Sequence, residues 1–147
     1  MSYRAAPHRS VLAQAIFGLL NPIPFGFFVA CLIFDITYAN TAVDIWAKGA
    51  DWLITLGIAF AIIPRVINLF QVWITSRRFS TGADRFDFWI NLAAIVLAVF
   101  NAFVHTRDAY EVVPTAVWLS AATVVLLAIS FIFIAVRQNT SGTLTHE

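Results

Sequence analysis

Charged residues are scarce in this chain. Only 12% of its 147 residues are Asp, Glu, Lys or Arg, about half of the ~25% usual in a soluble domain. That excludes an ordinary soluble domain. Glycine and proline are also few, 6 and 5 residues, which excludes a collagen-like chain, and the apolar content is too high for disorder. A single cysteine, Cys31, excludes an intramolecular disulfide, a CxxC redox pair and an all-thiolate metal site within one chain. Neither sign of charge dominates: 9 Lys and Arg stand against 8 Asp and Glu, so there is no basic field for nucleic acid. P-loop, GxGxxG and GxSxG motifs are missing as well, so conventional catalysis has no visible machinery and no enzyme is expected. What fills the chain instead is apolar residues, 61% of the total, with a mean hydropathy of +0.83. These figures point to lipid as the solvent.

A bilayer core about 30 Å thick needs about 20 mostly apolar residues per helix, because unpaired backbone groups are not tolerated in hydrocarbon. Four stretches meet that requirement: Pro22 to Ala39, Trp52 to Trp73, Phe88 to Thr106 and Pro114 to Val136. The connections Asn40 to Asp51, Ile74 to Asp87 and Arg107 to Val113 are too short for a further domain. The expected fold class is therefore all-α, an integral membrane antiparallel four-helix bundle. Ahead of it, Ser10 to Leu20 is apolar for three helical turns and then meets Asn21-Pro22-Ile23-Pro24. That sequence is a poor cleavage site, which favours a short interfacial helix over the core of a signal peptide. Residues 1–21 thus read as a cytoplasmic segment with an interfacial helix, 22–136 as the four-span domain, and 137–147 as a cytoplasmic tail. Pro114 suits the start of the fourth span, and Pro64 should kink the second.

Orientation follows from the cations. With the N-terminus inside, Arg4, Arg9, Arg77, Arg78, Arg85 and Arg137 flank the cytoplasmic face, whereas Lys48 and Arg107 lie outside. This bias places both termini in the cytoplasm, with the cytoplasmic (inner) membrane as the location. Tyr38, Trp46, Trp52, Tyr110 and Trp118 at one end of the spans, and Trp73 and Trp89 at the other, read as interfacial belts, with one or two of these rings expected in the bundle core.

Polar groups within the spans are the candidate site residues. A charge at mid-membrane costs a few kcal/mol, so Asp35 and Arg65 each require a partner, water or a route to the interface. Counting 1.5 Å per residue puts Asp35 roughly 7 Å further from the cytoplasmic face than Arg65. They can pair if their helices face each other; alternatively Arg65 snorkels toward Asp84 or Asp87, the preferred option. Asn68 and Asn91 form a shallow layer near the cytoplasmic face, and Asn101 lies at the depth of Asp35. Asp87 and Asn91, like Asn101 and His105, are four apart and share a helix face. The simplest reading of these groups is interhelical hydrogen bonding. A functional alternative has Asp35, Asn101 and His105 lining a small polar cavity open to the outer face. His105 alone of the histidines lies near a span, so a bis-histidine haem fails within one chain and would need a homodimer. No other ligand stands at metal-binding spacing around His105, and Cys31 reads as inert packing. No cofactor is expected.

Order and spacing of motifs carry a resemblance. The run Asn21-Pro22-Ile23-Pro24-Phe25-Gly26-Phe27-Phe28-Val29-Ala30 continues through Leu32-Ile33-Phe34-Asp35, then Trp46-Ala47-Lys48 and the Gly57 span ending Ile63-Pro64-Arg65-Val66-Ile67-Asn68-Leu69. Phe88-Trp89-Ile90-Asn91-Leu92 follows. From Asn21 to Val136 the chain resembles the small bacterial membrane proteins grouped as "domain of unknown function two-two-three-one". The resemblance implies a four-span membrane fold, and an association with Rieske-type or quinoprotein-dehydrogenase domains. Members often carry a His-Pro before the first span and a His at the start of the third; here Asn21-Pro22 and Asp87 stand at those places.

Only 11 residues follow Val136 in this sequence, so an electron-transfer role would act through a separate partner. The function expected is a non-catalytic membrane subunit or anchor for a redox or envelope membrane protein, held in the lipid bilayer. The alternatives are a small dimeric proton-coupled transporter using Asp35, and a quinone- or haem-binding membrane protein.

Overall fold

The computed structural model describes residues 22–69, 82–107 and 109–143, with side chains left out at 64, 65, 67–69, 82–85, 109–110 and 137–143. Five helices follow in order: α1 (Pro22–Thr41), α2 (Asp44–Leu69), α3 (Gly82–His105), the single turn α4 (Ala109–Val112) and α5 (Thr115–Thr143). All four long helices are apolar enough to cross a bilayer, over Pro22–Thr41, Asp44–Ile63, Phe86–His105 and Thr115–Val136. There is no strand among the described residues. The interfacial helix expected before Asn21 lies outside them.

Each long helix buries one narrow stripe, in steps of three and four residues. The stripe is Pro24, Phe28, Cys31, Asp35 and Tyr38 on α1, and Ala50, Ile54, Gly57 and Ala61 on α2. On α3 it is Asn91, Ala94, Ala98, Asn101 and Val104; on α5 it is Ala116, Ser120, Thr123, Leu127 and Ser130. Apart from the last step on α3, three and four alternate, the heptad rhythm that keeps a seam on a supercoiled axis and the packing common to four-helix bundles. Facing lipid are large apolar side chains between the stripes, such as Ile33, Trp52, Trp89, Phe100, Phe103, Trp118 and Ile132.

Cross-helix contacts give the direction of each helix. Phe28 meets Gly57 and Phe34 meets Gly49, so α1 and α2 run antiparallel. Asn101 meets Ser120 and Asn91 meets Ser130, so α3 and α5 do too. Asp35 with Ser120 and Phe25 with Phe131 show the same for α1 and α5. α1 and α3 each pack against both α2 and α5, closing a ring in which α1 and α3 stand on the diagonal. A Cβ at Gly57 would lie 2.8 Å from the buried Phe28 ring. Glycine is therefore what lets α1 and α2 approach there.

The α1–α2 connection is shorter than expected. Asn40 to Asp51 was to be a polar link, but α1 continues to Thr41 and α2 starts at Asp44. Ala42 makes the turn with φ of 53°, its N–H donating to Tyr38 O at 2.8 Å. That is a left-handed helix cap, and Asp44 then supplies a negative charge in the first turn of α2. Likewise, α3 begins at Gly82 rather than Phe88, and α5 runs past Val136 to Thr143. Pro114 lies just before α5, joined to Val113 by a cis peptide, and α2 continues through Pro64. Tyr38 is buried on the α1 stripe, so it is one of the rings that belong to the core instead of an interfacial belt. Exposed polar side chains on the spans are satisfied locally: Thr37, Asn40, Thr41 and Thr55 each donate to the carbonyl four residues earlier. In lipid such back-bonding removes an otherwise unpaired donor.

Candidate functional site

Two polar layers cross the bundle interior. On both α3 and α5 they are ten residues apart, Asn91 to Asn101 and Ser120 to Ser130, hence about 15 Å apart along the axis. Between them the core is built of Phe28, Ile54, Ala94, Ala98 and Leu127, with the buried hydroxyl of Thr123 donating to the Leu119 carbonyl at 2.8 Å.

Asp35 is the centre of the first layer. It lies on the α1 stripe, 2% exposed, and reaches across the diagonal to α3, where its Oδ1 is 2.8 Å from His105 Nε2. Ser120 of α5 donates to its Oδ2 at 2.5 Å, and Asn101 Nδ2 donates to Ser120 Oγ at 2.6 Å. The Cys31 thiol, one turn before Asp35, is 3.7 Å from Asp35 Oδ2 and 3.6 Å from Ser120 Oγ. His105 is the last residue of α3. Its Nδ1 lies 2.9 Å from the Asn101 carbonyl oxygen, which only accepts, so Nδ1 carries a proton. One further proton then sits between Nε2 and Asp35. Whether it belongs to the ring or to the carboxyl, the pair has no net charge, which is how a carboxylate is accommodated at this depth. Asn101 Oδ1 is the one buried side-chain oxygen or nitrogen among the described residues with no hydrogen-bond partner.

The second layer is simpler. Asn91 Nδ2 donates at 2.8 Å to both the main-chain oxygen and Oδ1 of Asp87, and at 2.7 Å to Ser130 Oγ. Ser130 in turn bonds Asp87 Oδ1. The bonds described here tie α3 to α5, and Asp87 is only half-buried.

The residues singled out from sequence divide accordingly. Asp35, Asn101 and His105 come together in the first layer, and Asn91 sits in the second with Asp87. Arg65 and Asn68 lie on α2, with side chains outside the described residues, so the Asp35–Arg65 pairing lies outside them too. Asp35 already has both oxygens engaged by His105 and Ser120. Ser120, Ser130 and the participation of Cys31 were not anticipated. The available signal was the spacing of Ser120, Thr123 and Ser130, which puts all three on one face of the most apolar span.

Cys31, Asp35 and His105 each offer a ligand atom, and these atoms lie within 4.8 Å of one another. Spacing along the sequence could not show this, because the thiol and carboxylate are a helical turn apart on α1 while the imidazole arrives from α3. The arrangement can hold a proton between Asp35 and His105, or present a sulfur, an oxygen and a nitrogen to a cation.

A family model described as "Predicted membrane protein (DUF2231)" matches residues 14–135. No match was found among curated proteins or solved structures. With four apolar helices packed into one bundle and most of the chain covered by that model, this chain is a membrane protein belonging to the DUF2231 family.

Proposed function

We propose that the chain is a membrane subunit or anchor, without catalysis of its own, serving a separate redox or envelope protein in the bacterial cytoplasmic membrane. Both termini face the cytoplasm in this reading, on the Lys and Arg bias. The carrying observation is that both described carboxylates in the interior layers, Asp35 and Asp87, are engaged by side chains of the same bundle. Polar layers closed on themselves fix helix register, as a scaffold requires. A transporter using Asp35 would have to break its bonds to His105 and Ser120 in each cycle, and a haem shared through two copies of His105 would have to take that ring from Asp35. Anchoring a partner requires neither rearrangement.

Purification of the tagged full-length chain from native membranes in mild detergent tests this. Co-purification of a redox or envelope protein in fixed stoichiometry is expected; repeated recovery of the chain by itself contradicts the proposal. The transporter reading predicts loss of proton-coupled uptake or resistance in Asp35→Asn, and the scaffold reading predicts none.

A further inference from the structure

We infer that Cys31, Asp35 and His105 form a binding site for a divalent transition-metal ion of the zinc class. Their ligand atoms lie within 4.8 Å of one another, and a thiolate, a carboxylate and an imidazole are the donors such an ion takes. Zinc bonds of about 2.0 to 2.3 Å call for donor separations of roughly 3 to 4 Å. Cys31 Sγ and Asp35 Oδ2 are 3.7 Å apart, and Asp35 Oδ1 and His105 Nε2 are 2.8 Å apart, so small side-chain rotations suffice.

Three further features suit an ion. The first is orientation: His105 Nδ1 donates to the Asn101 carbonyl, which turns Nε2 toward Asp35 in the manner of an outer hydrogen bond to a metal-binding histidine. Ser120 likewise steadies the carboxylate through Oδ2. The second is charge. All three side chains are buried, with Cys31 1% exposed and the His105 and Asp35 side chains 1% and 2%. In such surroundings an uncompensated charge is costly. One thiolate and one carboxylate neutralise a divalent ion, so the loaded site is as neutral as the empty one. Loading displaces two protons, one from the thiol and one shared by Asp35 and His105, while Nδ1 keeps its own. The third is the unpartnered Asn101 Oδ1, an acceptor next to Ser120 that suits a water in the ion's fourth position.

Titration of the purified full-length chain in detergent micelles with Co2+, a spectroscopic stand-in for Zn2+, tests the assignment. Cys31 is the chain's one thiol, so a sulfur-to-cobalt charge-transfer band in the wild-type protein identifies the site without any variant. Expected is saturation at one Co2+ per chain with that band, its loss on adding Zn2+, its absence in Cys31→Ser, and about tenfold weaker binding in Ser120→Ala. Absence of saturable uptake, or uptake without the sulfur band, overturns the inference. Neither result bears on whether the chain anchors a partner.

Discussion

The two polar layers use similar residues to different ends. Among the described residues, the Asp87 layer links two adjacent helices through an amide and a hydroxyl, and its carboxylate keeps partial access to the surroundings. The Asp35 layer joins three helices, reaches across the diagonal, buries its carboxylate almost fully and adds a thiol and an imidazole. Register between α3 and α5 needs only the first kind. The second kind concentrates costly groups at one depth, and an amide oxygen is left over there. Such a layer has the makings of a site, whereas its counterpart is a staple.

If that contrast is right, the largest effect comes from Asp35→Ala, which leaves His105 Nε2 and the Ser120 hydroxyl proton buried without their acceptor. A loss of about 3 kcal/mol is expected, measured by equilibrium unfolding in mixed micelles. Next is Gly57→Ala, between the layers, where the new methyl meets Phe28; about 1 to 3 kcal/mol is expected, because Phe28 has no room to yield. Ser130→Ala in the simpler layer should cost only about 1 kcal/mol, since Asn91 still bonds Asp87. A cost equal to that of Asp35→Ala would erase the distinction. Smallest, and opposite in sign, is Ala42→Gly at the α1–α2 turn beyond the Asp35 layer: removing the Cβ at φ of 53° should stabilise by about 0.5 to 1 kcal/mol.

Much of the fold was legible because membrane helices announce themselves by length. Four apolar runs separated by short links leave few arrangements other than an antiparallel bundle. Helix ends were less legible. The segment from Asp44 to Asp51 looked like a link because of its charges, yet Trp46 packs on Phe34 and Ala50 is fully buried, so tertiary packing extends α2 through it. In the site, depth counting put Asp35 level with Asn101 and placed His105 one turn away. A charged partner, however, could be sought only among opposite charges, which offered Arg65 as one option beside its route to Asp84 or Asp87. Which helix stands opposite α1 is a property of the ring order, and no linear spacing encodes it. Ser120 and Ser130 were passed over because single hydroxyls barely lower the hydropathy of the fourth span. Their placement on one stripe matters only once that stripe is known to face Asp35 and Asn91.

The central claim is that Asp35 and His105 act as one unit across the bundle diagonal. A double-mutant cycle with Asp35→Ala, His105→Ala and the double variant, read by unfolding in mixed micelles, measures this directly. Coupling of more than about 1 kcal/mol is predicted, with the second substitution costing little once the first is made; additivity within about 0.5 kcal/mol would contradict it.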